Sequence, residues 1–133
     1  MKILAFAGSN SSTSINKKLV THTASFFDKH TVEILDLNDY EMPLFSVDSI
    51  SKNGLPQLAL DFAQKIDDCD FLMISLAENN AAYTTAFKNI FDYISVIPNR
   101  KAFWGDKPTF LLATSPGARG GASVLNLANS TFK

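Results

Sequence analysis

Six small polar residues, Ser9 to Ser14, stand between an apolar run and the first helical pattern of this 133-residue chain. Ile3 to Ala7 read as a strand buried on both faces, and Gly8 breaks it. From Ile15 the apolar period becomes helical, through Leu19, Val20, Thr23, Phe26 and Phe27. A hydroxyl-rich turn thus leads into a helix start, where free backbone N–H groups favour an anion. Ser9, Ser11, Ser12, Thr13, Ser14 and Asn16 can add uncharged donors, so the turn reads as a phosphate cradle. Ser12 or Ser14 can also cap the helix, which is compatible with that reading. Asn10 and Thr13 stand where a dinucleotide fingerprint needs glycines, and no G-K-[ST] closes a triphosphate loop. Hydroxyls and amides alone suit a mononucleotide phosphate.

Two other stretches carry chemistry. Residues 75–82 (SLAENNAA) offer Glu78, Asn79, Asn80 and small alanines that let backbone approach a flat ligand. Residues 115–121 (SPGARGG) offer successive glycine amides and Arg119. Such a turn can aim several N–H groups at one acceptor, as the pyrimidine edge of a flavin requires. An ordinary left-handed turn before a helix is the plain alternative. Other chemistries lack their residues. Ser75 and Leu76 end the third strand where a receiver domain needs an aspartate, and no Cys-x5-Arg loop exists for a phosphatase. Cys69 reads as structural or idle. Lys88 and Asp92 read as an i,i+4 pair on a solvated helix face, His22 as a surface residue, and Trp104 as packing under the 99–107 connection.

The elements that must position these turns alternate along the chain. A helix is expected from Ile15 or Asn16 to about Lys29, then a strand over 32–36. Residues 37–55 read as loop with at most a turn of helix, pinned by Leu44, Phe45, Val47 and Ile50. A helix over 56–68, a strand over 71–74 and a helix over 81–97 ended by Pro98 follow. A strand over 109–113 and a helix from Ala122 close the sequence. Near-continuous apolar strands alternating with helices imply an α/β fold: a doubly wound parallel sheet in three α/β/α layers, ordered 2-1-3-4(-5). In that order the loops after strands one, three and four share one rim. Small domains of this kind usually have five strand–helix units. The expectation is one domain over 1–133, cut short on its C-terminal side, with the fourth strand an exposed edge.

Composition excludes several classes. Hydrophobic residues make up 46% and charged residues 19%, which indicates a folded domain rather than a disordered one. A net charge of −1 gives no footprint for nucleic acid or acidic membrane. One cysteine permits no internal disulfide and points to a reducing compartment. His22 and His30 with Cys69 do not make a zinc set. No apolar run spans a bilayer and no signal peptide precedes the first strand, so the expectation is a cytoplasmic protein.

These motifs resemble the NAD(P)H-dependent FMN reductases of the flavodoxin-like fold. Gly8-Ser9 with Ser14, Asn16 and Leu19 is similar to G-S-x-R-x-x-S-x-N-x-x-L. Ala77-Glu78-Asn79-Asn80 stands where P-E-Y-N is usual. Phe87 to Tyr93 resembles the L-K-N-A-[IL]-D-W helix, and Thr114 to Gly117 with Gly120-Gly121 resembles S-P-G-x-x-G-G. The resemblance implies FMN and NAD(P)H as cofactors, with hydride passed through FMN to a flavin, quinone or azo-type acceptor. It implies a flavin site made of Ser9, Ser11, Ser14, Ile15, Asn16, Ala77, Glu78, Asn79, Asn80, Ser115, Pro116, Gly117 and Gly120. Ser9, Ser14 and Asn16 would hold the phosphate; Glu78 and Asn80 would flank the ring through backbone; Ser115 and Gly117 would meet its far edge. It also implies a homodimer or homotetramer. Ser11 replaces an arginine, Asn79 a tyrosine and Ala77 a proline, so one phosphate-pairing charge and one aromatic surface are missing. Two rival readings are an FMN electron carrier, against which the −1 charge argues, and a non-catalytic domain with weak or no flavin binding.

Overall fold

The computed structural model describes residues 1–100 and 102–132. Four parallel strands form one sheet in the order β2-β1-β3-β6: β1 (Lys2–Gly8), β2 (Thr31–Leu35), β3 (Phe71–Leu76) and β6 (Thr109–Ala113). In chain order of these strands that is 2-1-3-4, as the alternation predicts. Ile3 pairs with Val32 on one side and Phe71 on the other, and Leu72 pairs with Thr109. Residues 3–8 of the central β1 are buried, which is why they read as an unbroken apolar run.

Helix α1 (Ile15–Ala24) covers one face, over Ile3, Ala5, Ala7 and Met73. The opposite face carries α3 (Gln57–Asp67), α4 (Thr85–Ser95) and α5 (Ala122–Thr131) over Leu4, Phe6, Leu72 and Ile74. That side is strongly aromatic. Phe6 meets Phe62 edge-on at 5.2 Å, Phe91 stacks on Phe103 at 5.0 Å, and Trp104 stacks on Phe132 at 4.9 Å. Trp104 therefore packs, as its place in the sequence suggests. Strand β6 is an edge strand, and Phe110 on it remains exposed. The Cys69 thiol is buried and donates to the Ile66 carbonyl, and desolvation pushes its pKa up, so it is a packing residue.

Several boundaries differ from the sequence reading. Helix α1 stops at Ala24 rather than near Lys29. The Ser25 hydroxyl and amide both bond back to the His22 carbonyl, and turns follow. Phe26, which continues the helical period, is 72% exposed. Residues 37–55 hold more structure than expected: a 3-10 turn (Leu37–Tyr40) and α2 (Val47–Asn53). Ser46 caps α2 by accepting the Ser49 amide, and Gly54 ends it at φ +79°. Leu44 and Val47 do not pin this segment; both are exposed, while Phe45 packs on Tyr93. Helix α3 begins at Gln57, with Pro56 just outside it. Helix α4 begins at Thr85 rather than 81, because residues 78–83 form a hairpin of β4 (Glu78–Asn79) and β5 (Ala82–Tyr83). Asn80 and Ala81 turn it with φ of 50° and 65°.

Candidate functional site

A buried carboxamide holds the rim of the sheet together. Asn16 is 2% exposed. Its Nδ2 donates to the Thr114 carbonyl at 3.0 Å, and its Oδ1 accepts the Thr114 amide at 3.0 Å. The same oxygen accepts the hydroxyl of the fully buried Ser75 at 2.8 Å. One side chain in the first turn of α1 thereby fixes the exits of β3 and β6. Thr84 does similar work one layer over: its hydroxyl donates to the Gly8 carbonyl at 2.8 Å and accepts the Phe87 amide at 3.2 Å, capping α4. The three loops that follow β1, β3 and β6 are thus tied beneath their tips.

The first loop is ordered by its own hydroxyls. Ser9 Oγ accepts the Ser11 amide at 3.2 Å, and Ser11 Oγ accepts the Thr13 amide at 3.3 Å. Ser14 is the helix cap, accepting the Lys17 amide at 3.1 Å. The amides of Ile15 and Asn16 begin the helix and have no carbonyl within it to reach. Lys17, the nearest cation of α1's first turn, is spent elsewhere. It pairs with Asp36 at the end of β2. That bond, with the Asn38 amide behind it, holds the Asp36 carboxyl below the usual carboxylate range.

The third loop is compressed against the sheet. Gly121 sits at φ +88°, and a Cβ there would lie 2.9 Å from the Ala113 Cβ. Only glycine fits so close an approach. Ser115 Oγ accepts the Gly117 amide at 3.1 Å, and the Gly120 amide donates to the Gly117 carbonyl at 3.0 Å. Glu78, from the second loop, reaches this one: its carboxylate accepts the Val124 amide of α5 at 2.9 Å.

A crevice of about 280 Å³ opens where the loops meet. Ser9, Ser11, Ser14, Ile15, Asn16, Ala77, Glu78, Asn79, Ser115 and Pro116 line it. Asn80, Gly117 and Gly120, which the sequence also singles out, are not among its lining residues: Asn80 turns the hairpin and the two glycines bond within their own loop. Thr13 and Thr114 line the crevice in addition. Thr114 carries no signal of its own; it joins the wall because Asn16 grips its backbone. The residues present fit a phosphorylated flat ligand. Neutral hydroxyls and the start of a ten-residue helix line it from the first loop, and Ala77, Asn79, Ser115 and Pro116 line it from the other two. Glu78 is the sole titratable group among the lining residues, and its carboxylate is already bonded. Among the described residues no His, Cys, Asp and Glu group could hold a metal ion, and no helix is long and apolar enough to cross a membrane.

A second cavity, of about 330 Å³, lies behind the first loop, between Asn10, the 37–44 segment and the start of α4. Asn89 shapes it by accepting the Phe45 amide at 2.7 Å and donating to the Pro43 carbonyl at 3.1 Å. The helix motif containing Asn89 is therefore a brace for the 42–45 loop. Lys88 and Asp92 beside it form the expected i,i+4 pair at 2.6 Å.

The chain is similar to known proteins in sequence and in fold. A family model described as NADPH-dependent FMN reductase matches residues 1–133. A 2-hydroxy-1,4-benzoquinone reductase from a Burkholderia species is 34% identical over 123 residues, covering 92% of this chain and 64% of the relative. An NADPH:quinone oxidoreductase from Arabidopsis thaliana is 27% identical over 131 residues, covering 96% of this chain and 64% of the relative. The chain therefore spans just under two thirds of the length of these two proteins. Among solved structures, a flavoenzyme NAD(P)H:(acceptor) oxidoreductase from Paracoccus denitrificans superposes with a TM-score of 0.78 at 24% identity. It covers 98% of this chain and 70% of its own, a likeness of fold.

Proposed function

The chain belongs to the NADPH-dependent FMN reductase family, and from that premise we propose that it holds FMN in the three-loop crevice and serves electron transfer from NAD(P)H to a quinone, flavin or azo-type acceptor. The observation that carries this reading is the meeting of the hydroxyl loop, the 77–79 segment and the 114–116 segment around one opening. The chemistry supplied by a flavin when bound is two-electron acceptance and release. What the chain supplies is grip and placement. Ser9, Ser11 and Thr13, with the Ile15 and Asn16 amides, would meet the phosphate. With Ser11 in place of arginine and Lys17 held by Asp36, the phosphate would be met by neutral donors and the helix dipole. Ala77, Asn79 and Ser115 would flank the ring, largely through backbone. The absence of a free acid or base among the lining residues suits hydride transfer, which needs no proton relay at this wall.

The reading extends to a homodimer or homotetramer in the cytoplasm, supported by the likeness to the family and the single cysteine. Light scattering tests the first. The enzymatic reading is tested by mixing FMN-loaded protein with NADPH in a stopped flow, then adding a quinone. Loss of the flavin's visible absorbance, followed by its return with the quinone, is the expected result. Loaded protein that NADPH leaves oxidised contradicts it and favours a carrier.

A further inference from the structure

The Glu78 side chain bridges the second and third loops above the sheet. Helix α5 starts after Gly121, which has no side chain with which to cap it. The cap comes instead from a residue 46 positions upstream, as Glu78 Oε2 accepts the Val124 amide at 2.9 Å. Glu78 Oε1 lies 3.9 Å from Arg119 Nη2 on the intervening turn. The Glu78 side chain is 9% exposed while Arg119 is 68% exposed, so the helix end, rather than the guanidinium, is its closer partner. A carboxylate in the first turn of a helix is favoured by the dipole, and a charged acceptor strengthens the bond. The hairpin that carries Glu78 has strands of two residues and a turn with two positive φ values. Such a hairpin is marginal alone; Tyr83 anchors its second strand on Phe87 and Phe91, and Glu78 anchors its first strand to α5.

We propose that Glu78 is a positioning residue whose carboxylate fixes the separation of the second and third walls of the crevice, and so governs how tightly a flavin mononucleotide is held. The proposal rests on the function proposed above. The side chain acts through backbone: it sets where residues 77–79 stand relative to 114–116. Gln in its place keeps an oxygen for the Val124 amide. Ala removes it, and Asp keeps the charge with a reach one methylene shorter.

Two measurements on the same proteins test this. In amide hydrogen exchange without added flavin, Glu78→Ala should speed exchange of Val124 and of residues 78–83 by about tenfold or more. Glu78→Gln, which keeps the acceptor oxygen and loses the charge, should speed Val124 exchange by less than Glu78→Ala does, with the remainder of the sheet unchanged in both. In flavin fluorescence titrations, FMN affinity should fall by about tenfold in Glu78→Ala and by less than about threefold in Glu78→Gln. Glu78→Asp should behave like Glu78→Ala, and it serves if the alanine variant does not fold. Unchanged Val124 exchange, a uniform rise across the chain, or equal FMN affinity in folded Ala, Asp and wild-type proteins overturns the proposal. If wild type itself takes no FMN, the functional reading falls while Val124 exchange still decides whether the clasp exists.

Discussion

Two polar layers lie a few residues apart at the same end of the sheet, built from the same residue types. In the lower layer Asn16, Ser75 and Thr84 are buried, and their polar atoms bond to the exits of β1, β3 and β6. In the upper layer Ser9, Ser11, Thr13 and Ser115 face the crevice, and their bonds stay within their own loops. Burial, rather than residue type, separates scaffold from ligand contact. A buried polar group must be satisfied internally, while an exposed hydroxyl keeps capacity for a ligand. Mutations in the first layer should move stability, and mutations in the second should move binding.

The largest effect is expected at Asn16. Asn16→Ala strands the buried Ser75 hydroxyl and takes the partner from the part-buried N–H and C=O of Thr114. It should lower unfolding free energy by about 3 kcal/mol in urea titrations. Loss of FMN binding without loss of stability would break the distinction between layers. In the upper layer, Ser9→Ala combined with Ser11→Ala and Thr13→Ala should weaken FMN by about tenfold, roughly 1.4 kcal/mol, and leave the thermal midpoint within about 2 °C of wild type. Thr84→Val, back in the lower layer, removes the α4 cap and the donor to the Gly8 carbonyl. A cost of about 1 kcal/mol in thermal unfolding is expected, with FMN affinity little changed.

The smallest effect concerns pH. Asp36 has a folded pKa below its unfolded value, so its bond with Lys17 stabilises above the unfolded pKa and is lost as pH falls through the folded one. Both partners are partly exposed, so about 0.5 kcal/mol is at stake. Thermal midpoints measured from pH 6 down to pH 3 should converge for wild type and Asp36→Asn. A gap that widens on acidification reverses the sign and contradicts the pairing.

This division explains what sequence pattern could reach. Strand order and the sharing of a rim by three loops are legible, because Ile3 to Ala7 and Phe71 to Ile74 are apolar runs that the sheet buries, and Phe110 to Ala113 extends it as an edge. Most of the crevice lining was legible because small polar residues cluster after those runs. The use of each residue was not. Its place in the turn puts Asn16 with the phosphate contacts, and its carboxamide also holds Thr114 and Ser75. Nothing local distinguishes these roles, since the partners lie 98 and 59 residues away. The sequence pattern starts the third helix at residue 81, whereas Ala82 and Tyr83 form the second strand of the 78–83 hairpin and the helix starts at Thr85. The left-handed backbone at Asn80 and Ala81 and the capping hydroxyl of Thr84 set that start. The short α2 buries none of its residues, so it has no apolar face for a sequence pattern to show.

The central claim is that three loops make one site for a phosphorylated flavin. Parallel fluorescence titrations of the purified protein with FMN and with riboflavin test it most directly. The account predicts saturable binding with FMN preferred, and a preference that shrinks toward parity in the Ser9, Ser11 and Thr13 triple alanine variant. Equal affinity for the two ligands in wild type, or no saturable binding of either, contradicts it.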